Sequence, residues 1–95
     1  MKFIDPGFKG NNPGHYSTAV VSNGMLYVSG LLSMDPDTRE VCTGDIQAHA
    51  AQALQNLDRV LKAAGVERSQ VVFCRVYTPS NEYWAINAVY AKFLA

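Results

Sequence analysis

Hydroxyl side chains gather where the predicted strands of this sequence begin and end. Tyr16 and Ser17 stand before the first predicted strand, Ser29 and Gly30 close the second, and Ser33 follows soon after. A glycine lets backbone N–H groups approach a ligand closely. Exposed N–H groups beside a serine hydroxyl suit a carboxylate or a carbonyl oxygen. The alternative, which the pattern by itself favours, is that Ser29-Gly30 is a simple bulge or turn.

Two further polar residues are candidates for binding. Asn87 lies between apolar neighbours on a predicted helix, and a buried asparagine needs partners for its amide, so it is either a structural strut or a ligand contact. Arg75 shares one side of a predicted strand with Phe73 and Tyr77. If that side is buried, Arg75 needs an anionic partner, and we favour an internal salt bridge over an anion-binding role.

The sequence carries no strong catalytic or metal-binding motif. It has no Gly-rich dinucleotide fingerprint, no P-loop, no HExxH and no GxSxG. His15 and His49 lie far apart without a second ligand at metal spacing, so we expect no metal site. His49 falls on the polar side of a predicted helix, where we expect it to be solvated. His15 is the more interesting of the two because it adjoins Tyr16 at the strand entrance.

One long amphipathic helix must position these side chains. From Asp45 to Gly65 the apolar residues recur three or four apart, which predicts a helix with one apolar face. Thr43 or Asp45 can cap its start, and Gly65 stands where helices commonly end. Such a helix between strands needs a sheet to lie on.

The flanking segments predict the rest of the order. Asn23-Gly24 between two β-prone runs indicates a type I′ hairpin. Residues 71–77 are β-branched and aromatic, which predicts a strand. A second helix follows residues 79–81, with apolar residues at helical spacing up to Leu94. The predicted order is β-β-α-β-α within a single domain, residues 1–95.

Composition excludes several classes of function. The eight basic and eight acidic side chains balance, which argues against nucleic-acid binding through a broad basic surface and against electrostatic membrane attachment. No apolar run approaches the roughly 20 residues of a membrane span, and no signal peptide is visible. Cys42 and Cys74 form no CxxC motif, so we expect reduced thiols in a soluble cytoplasmic protein.

The predicted elements leave an apolar face uncovered. Three strands hardly cover two helices, and the last helix ends at Ala95 without a cap or a polar tail. Either another subunit covers the exposed face, or the polypeptide is a shortened form of a longer domain.

Several short segments in order give a resemblance to a known family. Taken together they resemble the RidA (YjgF, or L-PSP endoribonuclease-like) family: Gly14-His15-Tyr16-Ser17, Leu26-Tyr27-Val28-Ser29-Gly30, Asp45-Ile46, Gln52-Ala53-Leu54-Gln55-Asn56-Leu57, Ala63-Ala64-Gly65 and Ala85 to Phe93. The resemblance implies a chorismate-mutase-like (bacillus type) α+β fold that assembles as a homotrimer, with ligand sites in clefts between subunits. It also implies hydrolysis of enamine and imine intermediates to 2-keto acids and ammonia, without a cofactor.

The resemblance carries individual residues over by position. Tyr16 matches the family's catalytic-site tyrosine, Ser29 its serine and Asn87 its asparagine, with Gly30 and Leu31 beside Ser29 in the substrate site. The family usually has Ser-Gly-Gln at this point, whereas this chain has Ser29-Gly30 followed by Leu31. Its carboxylate-gripping Arg, in a Pro-Ala-Arg segment, and a late Glu that positions water come after the second helix, with two more strands. Those positions are not among these 95 residues.

Three functions follow as hypotheses. The first is an imine or enamine deaminase. The second is a non-catalytic relative that binds a small carboxylate or a protein partner at the same clefts. The third, which the balanced charge disfavours, is an RNA-cleaving or RNA-binding protein with a role in translation inhibition.

Overall fold

The elements form a small antiparallel sheet with two helices packed beside it. The computed structural model describes residues 2–7, 18–38, 40–77 and 83–94, and for Tyr83 the backbone only. The strands are β1 (Lys2–Ile4), β2 (Ala19–Ser22) and β3 (Met25–Val28), and the helices are α1 (Ile46–Ala64) and α2 (Asn87–Leu94). Short 3₁₀ turns lie at Arg68–Gln70 and Tyr83–Ile86. The predicted α+β class is confirmed.

The predicted hairpin is confirmed at its turn. Asn23 and Gly24 both have positive φ, 53° and 76°, as a type I′ turn requires. The turn sets the register of β2 and β3, in which Val20 faces Tyr27 and Ala19 faces Val28.

Strand β1 was not predicted from the sequence. It pairs antiparallel with β2, so that the sheet order is β1-β2-β3. Arg59 of α1 holds the chain just beyond it: its Nε donates to Pro6 O at 2.9 Å and its Nη2 donates to Gly7 O at 3.1 Å. The same guanidinium reaches Asp37 at 3.4 Å. The strand was not predicted because it has only three residues and because the contact from Arg59 in a distant helix cannot be recognised from the local sequence.

Helix α1 begins and ends where the sequence predicted. The Asp45 carboxylate accepts from Ala48 N at 2.9 Å, so Asp45 and not Thr43 is the cap. Gly65 has φ 73°, and its N–H bonds back to the last turn. A side chain at that φ would be strained, which explains the glycine.

Helix α1 contributes to two apolar clusters. On the sheet side, Val60 is fully buried against Ile4 and Ala19. In the second cluster, Leu54 and Leu61 pack against Phe93 of α2. Leu26 of β3 contacts both clusters. Burial of these side chains, each worth roughly 1.5–3 kcal/mol, holds the helices to the sheet.

The predicted strand at residues 71–77 is wrong for the structure observed. Val71 is half-buried and extended, but no residue from 71 to 77 joins a ladder with any described residue. Phe73 and Tyr77 are 71% and 84% exposed. The β-propensity of a segment takes effect only where a neighbouring strand offers hydrogen bonds and side-chain packing. Within the described ranges no such neighbour lies beside it.

Cys42 and Cys74 are both free, as the sequence predicted. No helix in the described part of the chain is long and apolar enough to cross a bilayer.

Candidate functional site

Ser29 is fixed at the end of β3 by a single carbonyl. Its backbone N–H donates to Thr18 O at 2.9 Å and its Oγ donates to the same oxygen at 3.0 Å. Both donors of Ser29 are therefore used inside the protein, and its Oγ is left to accept. The N–H groups of Gly30 and Leu31 donate to no described residue, so they remain for a carboxylate or carbonyl oxygen. Residues 29–30 form no turn in the described structure.

The segment after Ser29 is held to α1 by one buried asparagine. Asn56 is 5% exposed, and its Nδ2 donates to Leu32 O at 2.9 Å and to Met34 O at 2.8 Å. Gln52, one turn earlier, donates from Nε2 to Asn56 Oδ1 at 3.2 Å. Because all three bonds use side chains of α1, the helix fixes the path of the backbone that leaves the Ser29-Gly30 corner.

His49 adds a second anchor to the same segment. Its Nδ1 lies 2.6 Å from Ser33 Oγ, and the pair is partly buried. The backbone of Ser33 is also held, since its carbonyl accepts from Cys42 N at 2.8 Å. The expectation that His49 is solvated was wrong, because the segment after β3 folds back over that side of the helix.

A tight acidic turn completes the return of the chain toward α1. Asp35 Oδ1 accepts from Asp37 N at 2.8 Å and from Thr38 N at 3.0 Å. The hydrogen bond from Thr38 N is the main reason that the pKa of the Asp35 carboxyl lies below its ordinary value, and the bond from Asp37 N is the second. Met34 and Val41 then form an isolated antiparallel bridge that closes the loop.

Of the other predicted site residues, Asn87 is described by the structure and does not lie against Ser29. Asn87 is exposed at the start of α2, so the expected buried amide is not observed, and no hydrogen bond joins it to the 29–31 segment. Asn87 is the first residue of α2, and its side chain lies on the exposed side of the helix beside Ala88. Tyr16 and His15, together with Ser17, lie outside the described residues.

The salt bridge expected for Arg75 was also wrong. Arg75 is exposed, and its guanidinium lies 5.5 Å from the ring centroid of Phe73. Among the residues that the structure describes it has no ion-pair partner. Since the segment joins no ladder, neither of its sides is buried, and the reason for a buried anionic partner disappears.

Sequence reasoning missed the polar side of α1 that organises the site. His49, Gln52 and Asn56 are spaced three and four apart, the same spacing as the apolar residues. We interpreted that side as solvated because polar faces of amphipathic helices usually are. The sequence does contain a sign of this, because three amide or imidazole side chains on one side of a helix can bind a backbone segment as well as water.

Comparisons with known proteins agree on one family. The sequence model described as Endoribonuclease L-PSP matches residues 10–95. The chain is 38% identical over 81 residues to a RutC family protein of Sulfurisphaera tokodaii, and 37% identical over 81 residues to a rat protein named 2-iminobutanoate/2-iminopropanoate deaminase. Each alignment covers 84% of this chain, but the chain spans only 65% and 59% of the two relatives.

A solved structure gives the same result for the fold. The crystal structure of RidA from an Antarctic Psychrobacter superposes with a TM-score of 0.83 at 28% identity. The superposition covers 100% of this chain and 77% of that one.

Proposed function

Because the chain belongs to the endoribonuclease L-PSP family, which includes the RidA proteins, we propose that it hydrolyses 2-iminobutanoate and 2-iminopropanoate to the 2-keto acids and ammonia. The observation that carries the proposal is the 37% identity to a relative named for that reaction. The N–H groups of Gly30 and Leu31, which donate to none of the described residues, support it beside the anchored Ser29, since the substrates are small carboxylates.

The reaction requires that the substrate and a water molecule be positioned and that a proton be transferred. Water adds to the imine carbon, its proton passes to the nitrogen, and the resulting carbinolamine collapses to a carbonyl with loss of ammonia. In our proposal the N–H groups of Gly30 and Leu31 bind the substrate carboxylate and Ser29 Oγ accepts a hydrogen bond from the imine N–H or the attacking water. Tyr16 contacts the attacking water, Asn87 steadies the pocket, and no cofactor takes part.

The proposed cleft needs more than one copy of the chain. Phe3, Val20 and Tyr27 face one another in register across the side of the sheet that α1 does not cover. Phe3 and Tyr27 are 67% and 57% exposed, an unusual row for the surface of a monomer. We propose that this row packs against sister chains in a homotrimer and that the cleft lies where the copies meet.

Light scattering tests the assembly. We expect a particle of three times the 10.4 kDa chain mass. Tyr27→Glu should shift it toward the monomer, because a charge would be buried in the contact. Trp84→Glu is the matched control, since Trp84 is 71% exposed but lies away from the sheet. A monodisperse wild-type monomer, or equal effects of the two variants, contradicts the trimer.

An imine-trapping assay tests the activity. An amino-acid oxidase generates 2-iminobutanoate in the presence of semicarbazide, and we expect the chain to lower the trapped fraction. Ser29→Ala should slow this by about tenfold, the value of one hydrogen bond of roughly 1.4 kcal/mol, whereas Ser69→Ala in an exposed turn should not. A Tyr16→Phe variant tests the second contact.

A non-catalytic binding protein is the second candidate. It is favoured by relatives that carry only the RutC family name and no named reaction. If these 95 residues leave the trapped fraction unchanged while a C-terminally extended form lowers it, the 95-residue chain by itself is not a deaminase. Cleavage of single-stranded RNA by purified protein, compared with Tyr16→Phe, tests the ribonuclease alternative.

A further inference from the structure

A groove between α1 and α2 lies on a different side of α1 from His49 and Asn56. It encloses about 320 Å³, near the lower end of the range for small-molecule sites. Leu54, Val89 and Phe93 give it an apolar floor, and Asp58, Arg68 and Lys92 line its rim. None of these residues takes part in the proposed deaminase site.

The charges at the rim do not cancel. The Asp58 carboxylate accepts from Arg68 Nε at 3.0 Å and pairs with Lys62 Nζ at 3.1 Å, so one negative charge already meets two positive ones. Lys92 is exposed in the last turn of α2 and has no ion-pair partner among the described residues. The rim therefore carries a surplus of positive charge.

Arg68 contacts both helices at this rim. Its Nη1 donates to Phe93 O at 3.4 Å, and its guanidinium lies 4.1 Å from the Phe93 ring centroid. Its hydrogen bond is the main reason that the pKa of Asp58 lies below the ordinary value, so the carboxylate stays ionised and the pair intact at neutral pH. No described residue accepts from Arg68 Nη2. A fixed donor with an open N–H group is well suited to an anion.

We propose that this groove binds a small carboxylate with a compact apolar body. Lys92 and Arg68 Nη2 bind the carboxylate, and the apolar body rests on Leu54, Val89 and Phe93. A cationic ligand of the same shape would meet the surplus positive charge and be repelled. A neutral one would gain only the apolar contact.

Titration of the ¹⁵N-labelled chain with phenylacetate tests the site, with benzylamine and benzyl alcohol as ligands of matched size. We expect saturable shifts of the Leu54 and Val89 amides with phenylacetate, weaker shifts with benzyl alcohol and none with benzylamine. Lys92→Ala should weaken the affinity by about fivefold, the most that a solvent-exposed ion pair usually gives. Lys62→Ala removes a lysine already paired with Asp58 and should stay within about twofold of wild type.

Several results would overturn the proposal: no saturation, equal binding of benzylamine, equal loss in the two lysine variants, or shifts confined to residues 29–34. The imine-trapping assay keeps the two proposals separate. Lys92→Ala should leave that activity as it is in the wild type, whether or not the groove binds phenylacetate.

Discussion

Replacing Asn56 with aspartate is expected to lower the free energy of unfolding by about 3 kcal/mol at neutral pH. The change keeps the shape of the side chain but removes the donor that both Leu32 O and Met34 O accept. It also places a carboxylate against two carbonyl oxygens at a position that is only 5% exposed. Urea unfolding followed by circular dichroism measures the loss.

The sign of the pH dependence gives a sharper test of Asn56→Asp. Burial and two acceptors favour the protonated acid, which can donate one bond, so the pKa of the new carboxyl should lie above its ordinary value of about 4 in the folded state. The stabilisation from the protonated form is complete below that ordinary value and is lost as pH rises through the folded pKa. The deficit relative to wild type should therefore be smaller at about pH 5 than at about pH 7.5.

Gln55→Glu provides the control for added charge, because Gln55 is the exposed neighbour on the same helix. We expect a change within roughly 0.5 kcal/mol for it. Equal stability of the two variants at neutral pH would show that Asn56 does not hold the segment.

Val60→Asp is expected to abolish folding. Val60 is 0% exposed and lies against Ile4 and Ala19, where a carboxylate finds neither water nor a partner. Such a change exceeds about 4 kcal/mol, a large part of the roughly 5–15 kcal/mol of a typical domain. Loss of the far-ultraviolet helical signal and of a cooperative melting transition would record it.

Ala63→Asp separates this effect from a change in helix propensity. Ala63 is exposed in the last turn of the same helix, where aspartate has a lower helix propensity than alanine and its charge lies at the negative end of the helix dipole, so we expect a loss of about 1 kcal/mol. Leu57→Asp on the same helix should be less disruptive than Val60→Asp. Leu57 is only half-buried, so the water beside it would soften that variant. A normal melting transition for Val60→Asp would contradict the observed helix face.

Local chemistry accounts for the elements that the sequence predicted well. Asn23-Gly24 and the Asp45 and Gly65 caps are each set by a few adjacent residues with special backbone or hydrogen-bonding needs. The sequence did not predict strand β1 and wrongly predicted a strand at residues 71–77, and the reason is the opposite one. Whether a segment becomes a strand depends on which distant backbone it meets, and that is a tertiary property.

The sequence points to the part of the candidate site whose residues are adjacent in the chain, and the role of that part stays a prediction. Ser29, Gly30 and Leu31 are neighbours in sequence, and the donors that remain there fit the predicted carboxylate contact. The supports from Asn56 and His49 depend on how the segment after β3 crosses α1. That crossing spans 22 residues between Met34 and Asn56, beyond the reach of helical or strand periodicity.

The exposed residues 71–77 have a consequence for handling the protein. Val72, Phe73, Val76 and Tyr77 are each more than 40% exposed, in a stretch with the composition of segments that stack into cross-β fibrils. Arg75 is its one charged residue. It acts as a gatekeeper, since stacking identical chains would bring these guanidinium groups together at intervals of about 4.8 Å. Replacing Arg75 with an uncharged residue should make concentrated samples form thioflavin-positive aggregates sooner.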